Sequence, residues 1–189
     1  SNWDTMGIKE GGSIMCRAID VASYILNERG RLSGYQLQKL LYYCQAWCLV
    51  TQDRPLFPEV IRAWEHGPVV YEVARAHRGR RSVVARDIEG NPLALSAEDQ
   101  VLVDAVLESY SVLSGDELEA LSHSERPWRE SYNGQTGIAS NAIPNELIKS
   151  YYSDLMCGDS HTAESHHVPR FPVSPKIVVS DDDFSWLES

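Results

Sequence analysis

The sequence contains no run near the roughly 18 apolar residues that a membrane span needs, and no basic-then-apolar segment of secretory type at its N-terminus. Neither a membrane protein nor an exported one is expected, and the cytoplasm is the expected location. Its four cysteines, Cys16, Cys44, Cys48 and Cys157, form no CxxC pair, which argues against a zinc knuckle or a disulfide framework and for reduced thiols. Positive charge is in short supply. The chain carries 17 Lys and Arg against 27 Asp and Glu, a net charge of −10. That balance counts against a nucleic-acid binder, because neutralising phosphates supplies most non-specific affinity in such complexes. A phosphate-cradling glycine loop, an HExxH helix and a paired-aspartate motif are all missing, so no cofactor and no metal is expected. Without an internal repeat, a solenoid is excluded.

What is present is enough apolar material for a core. Of 189 residues, 43% are hydrophobic and 23% charged, within the ordinary globular range and the right length for one domain plus an appendage. The expected division is a flexible leader at 1–13, a mainly α, compact multi-helix domain with a few short strands at 14–157, and a proline-broken acidic tail at 158–189.

Periodicity places the elements. Ala18, Val21, Ala22, Ile25 and Leu26 recur at helical spacing and Gly30 follows as a stop. After Ser33, a plausible cap, Leu37, Leu40, Leu41, Cys44, Trp47 and Cys48 trace one apolar face of a central helix that should end near Asp53. Val60, Ile61 and Trp64, bounded by prolines, suit a short strand. Pro68 is read as the first turn of a helix running towards Gly79, where its missing N–H costs nothing. Val83, Val84 and Ile88 suggest another short strand or hairpin arm. Ser96 opens a clear helix, "DELEALSH" a shorter one, and Pro127 and Pro144 begin two more. Residues 158–189 hold six acids and two bases, interrupted by Pro169, Pro172 and Pro175, with apolar islands at Phe171, "KIVVS" and "FSWL".

Several constellations could carry chemistry. Glu65 beside His66 resembles an acid–base pair, but adjacent residues of a strand point apart, so the plainer role for His66 is to tie down the Gly67-Pro68 turn by hydrogen bonds. His123 stands among Ser122, Ser124 and Glu125, where capping of the helix near Pro127 explains the cluster. An enzyme using Glu65, His66 and His123 would need a convergence that spacing cannot supply. Cys157, His161, His166 and His167 offer zinc-compatible ligand types with poor spacing, so no metal site is expected there. Arg75, Arg78, Arg80, Arg81 and Arg86 fall within twelve residues, either a solvated loop or a basic contact for an acidic surface.

Taken together, "LQKLLYYCQAW", "PLFPEVIRAWEHGPVVYEV", "LSHSERPWRES" and "PNELIKSYY" resemble, in order and spacing, the Panacea domain of SocA-like antitoxins and phage-associated proteins. The resemblance covers about residues 14–156. It implies a mainly helical domain acting by protein–protein contact, with a cognate protein toxin as partner. It also leaves open a protease adaptor or phage regulatory protein on the same scaffold, and it says nothing of a homo-oligomer. The family's recurring positions fall on Gln38, Lys39, Leu40, Tyr42, Trp64, His66, Gly67, Pro68, His123, Pro127 and Trp128. Cys48 stands where a histidine is common in the family, and the tail lies outside the shared core.

Overall fold

The structure, a computed structural model, describes residues 15–172. The leader read at 1–13 and the islands "KIVVS" and "FSWL" lie outside the described residues. Among those described are eight helices, α1 (Ala18–Arg29), α2 (Gly34–Gln52), α3 (Tyr71–Ala76), α4 (Ala97–Tyr110), α5 (Gly115–Ser124), α6 (Arg126–Ser131), α7 (Asn145–Cys157) and α8 (Ser160–Ser165). Four short strands, β1 (Leu32–Ser33), β2 (Ile61–Trp64), β3 (Gly67–Val70) and β4 (Ser82–Val83), form two antiparallel pairs, β1 with β4 and β2 with β3. The mainly α expectation holds. No described helix is long and apolar enough to cross a membrane.

Helix α2 is the axis, packed by α1, α4, α5, α7 and β3. Ser33 caps it, its Oγ accepting from the Gln36 N–H at 3.1 Å, and Asp53 ends it in a left-handed conformation. Both ends lie where the sequence indicated, but the burial does not follow one face. Every residue from Leu37 to Leu49 is buried. The polar members afford this because each finds a partner, as buried polar groups must. Gln45 Oε1 accepts from the Leu56 and Phe57 N–H groups at 2.8 and 3.2 Å, while its Nε2 donates to the Phe57 carbonyl at 2.9 Å. Gln38 Oε1 accepts from Val70 N–H at 2.8 Å.

The segment after β2 corrects the sequence reading. Pro68 does not start a helix; it lies in β3, opposite Ala63, and Trp64 pairs with Gly67. Glu65 and His66 are thus the two-residue loop of a hairpin. The outer side of β2 is covered by residues 141–143, with Ala63 N–H donating to Asn141 at 2.9 Å and Ile143 N–H to Ile61 at 2.8 Å. That leaves β3 at the edge, where a residue without an N–H is tolerated. Val69 and Val70 suit the extended backbone. Their burial, with Ile61, stabilises the corner by about 1.5–3 kcal/mol per fully buried side chain. The helix begins only at Tyr71.

One further reading holds in part and one changes. The short strand expected around Val83 is present as Ser82–Val83, paired with β1, but Val84 and Ile88 lie outside it and residues to 95 form short 3-10 turns at Ala85–Asp87 and Pro92–Ala94. Ser122 and Ser124 do not cap α6: their hydroxyls donate back to Glu119 and Leu121 carbonyls at 2.9 and 2.6 Å. Glu125, at the α5–α6 junction, instead turns its side chain wholly inward. Its Oε1 accepts from Tyr43 OH at 2.6 Å and Tyr152 OH at 2.9 Å, and its Oε2 lies 3.2 Å from His166 Nδ1. His166 comes from the segment read as tail. That segment carries the short α8, and Val168 and Phe171 beyond it pack against the core.

Candidate protein-contact surface at the β2–β3 hairpin

Eight of the recurring positions gather at the hairpin. Gln38 and Lys39 rise from α2 beneath β3, Trp64, His66, Gly67 and Pro68 belong to the hairpin itself, and His123 and Trp128 approach from α5 and α6. Trp128 Nε1 donates to the Trp64 carbonyl at 2.7 Å, and Trp64 Nε1 donates to Ser140 Oγ at 3.0 Å. The Trp128 ring stacks on His123 at 3.9 Å and on Tyr132 at 4.8 Å. Tyr42 and Pro127 are elsewhere: Tyr42 lies in the aromatic core against Tyr152, and Pro127 is buried in the first turn of α6.

Lys39 has no exposed surface. Its Nζ donates to the Pro68 carbonyl at 3.3 Å. Burial lowers its pKa to about 7, with the Glu119 carboxylate pulling the other way. Gly67 makes room for it. A Cβ at position 67 would stand 2.4 Å from Lys39 Cε and 2.9 Å from Ser122 Oγ, on a backbone with φ near +102°. Only glycine meets both conditions without strain. Gln38 completes the fastening, with its Nε2 3.1 Å from His77 Nε2.

His66 does not bond its own turn, as the sequence suggested. Its Nδ1 lies 3.1 Å from Glu119 Oε1 on α5, and its ring meets Tyr35 edge-on at 5.3 Å. The imidazole is 52% exposed and Tyr35 53% exposed, so this pair forms an outward aromatic ridge beside the exposed Glu65. Next to it a shallow depression is lined by Asp116, Glu119, Ala120 and His123. Burial lowers the pKa of His123, whose Nε2 is shielded and has no hydrogen-bond partner among the described residues. Glu65 stays exposed. Of the three residues of the enzyme reading, His66 and His123 both lie near Glu119, and His123 also meets the Glu65 backbone and feels His66.

The other sequence candidates separate. Arg75, Arg78, Arg80, Arg81 and Arg86 are exposed on and after α3, and Arg80 pairs with Asp87 at 3.2 Å. Cys44 and Cys48 are buried, and burial raises both thiol pKa values. Among the described residues no three His, Cys, Asp or Glu side chains gather closely enough to hold a metal ion. Sequence reasoning missed Tyr35, Glu119 and Ser140. Glu119 carried no signal beyond being one of several acids in "DELEA", since its value lies in what crosses from the hairpin.

The domain is thus mainly helical, fastens a small hairpin from beneath and leaves its tip outward. The comparisons name its family. The family model described as antitoxin SocA-like, Panacea domain, matches residues 37–129, the stretch from within α2 to within α6 that contains the hairpin together with Gln38, Lys39, His123 and Trp128, while Ser140 and residues 141–143 lie beyond it. Antitoxin SocA of Caulobacter vibrioides (strain NA1000 / CB15N) is 32% identical over 131 residues, covering 60% of this chain and 69% of that protein. The chain belongs to the SocA-like antitoxin family. No solved structure matches it.

Proposed function

We propose that this chain is an antitoxin that neutralises a cognate protein toxin by direct contact, through the face formed by Tyr35, His66, Asp116 and Glu119. The observation that carries this reading is the placement of the recurring residues. Gln38, Lys39 and Trp128 hold the hairpin from within, while its tip and Asp116 remain exposed and Glu119 is half-buried. A surface fixed before binding loses little freedom on association, and an exposed tyrosine beside it is a suitable anchor. The net charge of −10 favours a basic partner, because opposite potentials speed encounter and disfavour wrong pairings. The partner and the cytoplasmic setting are inferred from family membership.

Co-expression with the product of the adjacent gene tests the proposal. Growth arrest by the neighbour alone, relief by this chain and co-purification of the two are expected. A harmless neighbour, or relief without any complex, contradicts it. The approach of two imidazoles to Glu119 favours one second reading, acid–base chemistry at the depression. His123→Gln separates the two: contact alone predicts that neutralisation survives, whereas chemistry predicts that it is lost while the complex still forms.

A further inference from the structure

Residues 158–172 are attached to the domain in an unusual way. The backbone bonds of 158–168 run to carbonyls between Leu155 and Glu164, within the segment or to the end of α7, and no residue of α8 is buried. The segment meets the core by a short set of side-chain contacts. Tyr110 OH donates to the His166 carbonyl at 3.3 Å, His166 Nδ1 reaches Glu125 Oε2 at 3.2 Å, and Phe171 lies 6.0 Å from the Trp47 ring. Pro169 is buried between these anchors.

Beneath the segment the core is aromatic and acidic. Tyr43 and Tyr110 stack at 4.0 Å, Tyr152 meets Trp47 edge-on at 5.5 Å, and Glu125, with no exposed surface, sits beside the Tyr43 and Tyr152 hydroxyls. The Tyr43 and Tyr152 hydroxyls donate to one carboxyl oxygen and His166 Nδ1 faces the other, and a charge buried in such a place is costly without a counter-charge. His166 is the group placed to supply one. Its pKa is raised by the hydrogen bond to Glu125, against a smaller opposing effect of burial.

We propose that residues 158–172 form a detachable arm over a groove walled by Tyr43, Trp47, Tyr110 and Tyr152, held shut by protonated His166 on Glu125 and loosened when His166 loses its proton. The arm would thereby uncover an acid-floored aromatic cleft suited to an extended peptide carrying a basic side chain and an aromatic one, the chemistry that His166 and Phe171 themselves bring. The proposal stands independently of the toxin contact at the hairpin.

The sign follows from linkage. A histidine whose pKa is raised by folding contributes stability in full below its unfolded value, and that contribution is lost as pH rises through the folded value. The arm therefore loosens as pH rises past the raised folded-state value of His166, above the ordinary histidine value. The other titratable groups facing it do not reproduce this. Tyr43, Tyr110 and Tyr152 are pushed well above the ordinary phenol value by burial, and Tyr151 to about 12, also by burial. Glu117, which feels His167, is lowered by its own hydrogen bonds to Ser114. Asp159 is lowered by the Thr162 N–H. The arm also contains His161, Glu164, His167 and Arg170, so the two other histidines need a control.

Hydrogen exchange of the full chain at about pH 6 and about pH 8.5, corrected for intrinsic rates, provides the test. A several-fold loss of protection confined to the arm at the higher pH is expected in the parent and in the His161→Gln/His167→Gln double variant. In His166→Gln the arm should be loose at both. A pH-independent arm in the parent, or a parent-like pH profile in His166→Gln, overturns the proposal. NMR titration of His166 in the unmodified chain guards against misfolding of a variant: a midpoint above the ordinary histidine value supports the latch, and one at or below it contradicts it.

Discussion

The domain contains two histidine–carboxylate contacts that look alike on paper and behave differently. At the hairpin tip His66 meets Glu119 at 3.1 Å, with side-chain exposures of 52% and 26%. At the arm His166 meets Glu125 at 3.2 Å, with exposures of 23% and zero. The distances are nearly equal, so burial decides what each contact is worth. An exposed pair is screened and contributes roughly 0–1 kcal/mol, whereas a buried carboxylate makes its partners hard to remove. The first pair suits a surface that must exchange solvent for a partner, the second an internal fastening.

Substitutions that separate fastening from display sharpen this contrast. The largest effect is expected at Gly67. Gly67→Ala places a methyl group against the enclosed Lys39 and Ser122 on a left-handed backbone, and should cost about 4 kcal/mol in denaturant unfolding. Glu125→Ala leaves Tyr43 and Tyr152 hydroxyls without their acceptor and His166 without its counter-charge. A loss of about 3 kcal/mol is expected from the same measurement.

Lys39→Met should act in the opposite direction. The buried amine has its pKa lowered to about 7 from an unfolded value of 10.5, so the unfolded chain binds more protons between these limits and stability rises with pH across them. Below pH 7 the full cost of enclosing an ammonium is present. The methionine variant should gain of order 1–2 kcal/mol there, and the gain should shrink as pH rises. A constant difference across that range would show that Lys39 does not titrate in the fold. The smallest effect belongs to His66→Gln. About 0.5 kcal/mol or less is expected in stability, together with weaker toxin binding; a large loss of stability would place His66 among the fastenings instead.

Much of the scaffold was legible because local signals and tertiary packing agree. Ser33 and Asp53 bound α2, Ser96 caps α4, and the three- and four-residue spacing located their apolar positions. The hairpin was not legible. Glu65-His66 is not an Asn-Gly type of loop, and Pro68 suits a helical first turn as well as an edge strand; the choice was made by residues 141–143 covering the other side of β2. All-round burial of α2 was hidden for a related reason. Gln38, Lys39 and Gln45 read as a polar face until Val70, Pro68 and Phe57 supply their partners. The arm was obscured by its composition, since prolines and acids indicate an irregular tail and "SHHVP" drew attention as possible ligands. Glu125 gave no sign that it was a buried acceptor, because its partners come from α2, α7 and the arm.

The central claim is that the recurring residues hold a hairpin whose exposed neighbours bind the toxin. Its most direct test is neutralisation and co-purification by the Tyr35→Ala/Glu119→Lys double variant, with folding verified by circular dichroism and thermal unfolding. The account predicts a chain that folds as the parent does, no longer protects cells and no longer retains the toxin. Undiminished protection and co-purification by the folded variant would contradict it.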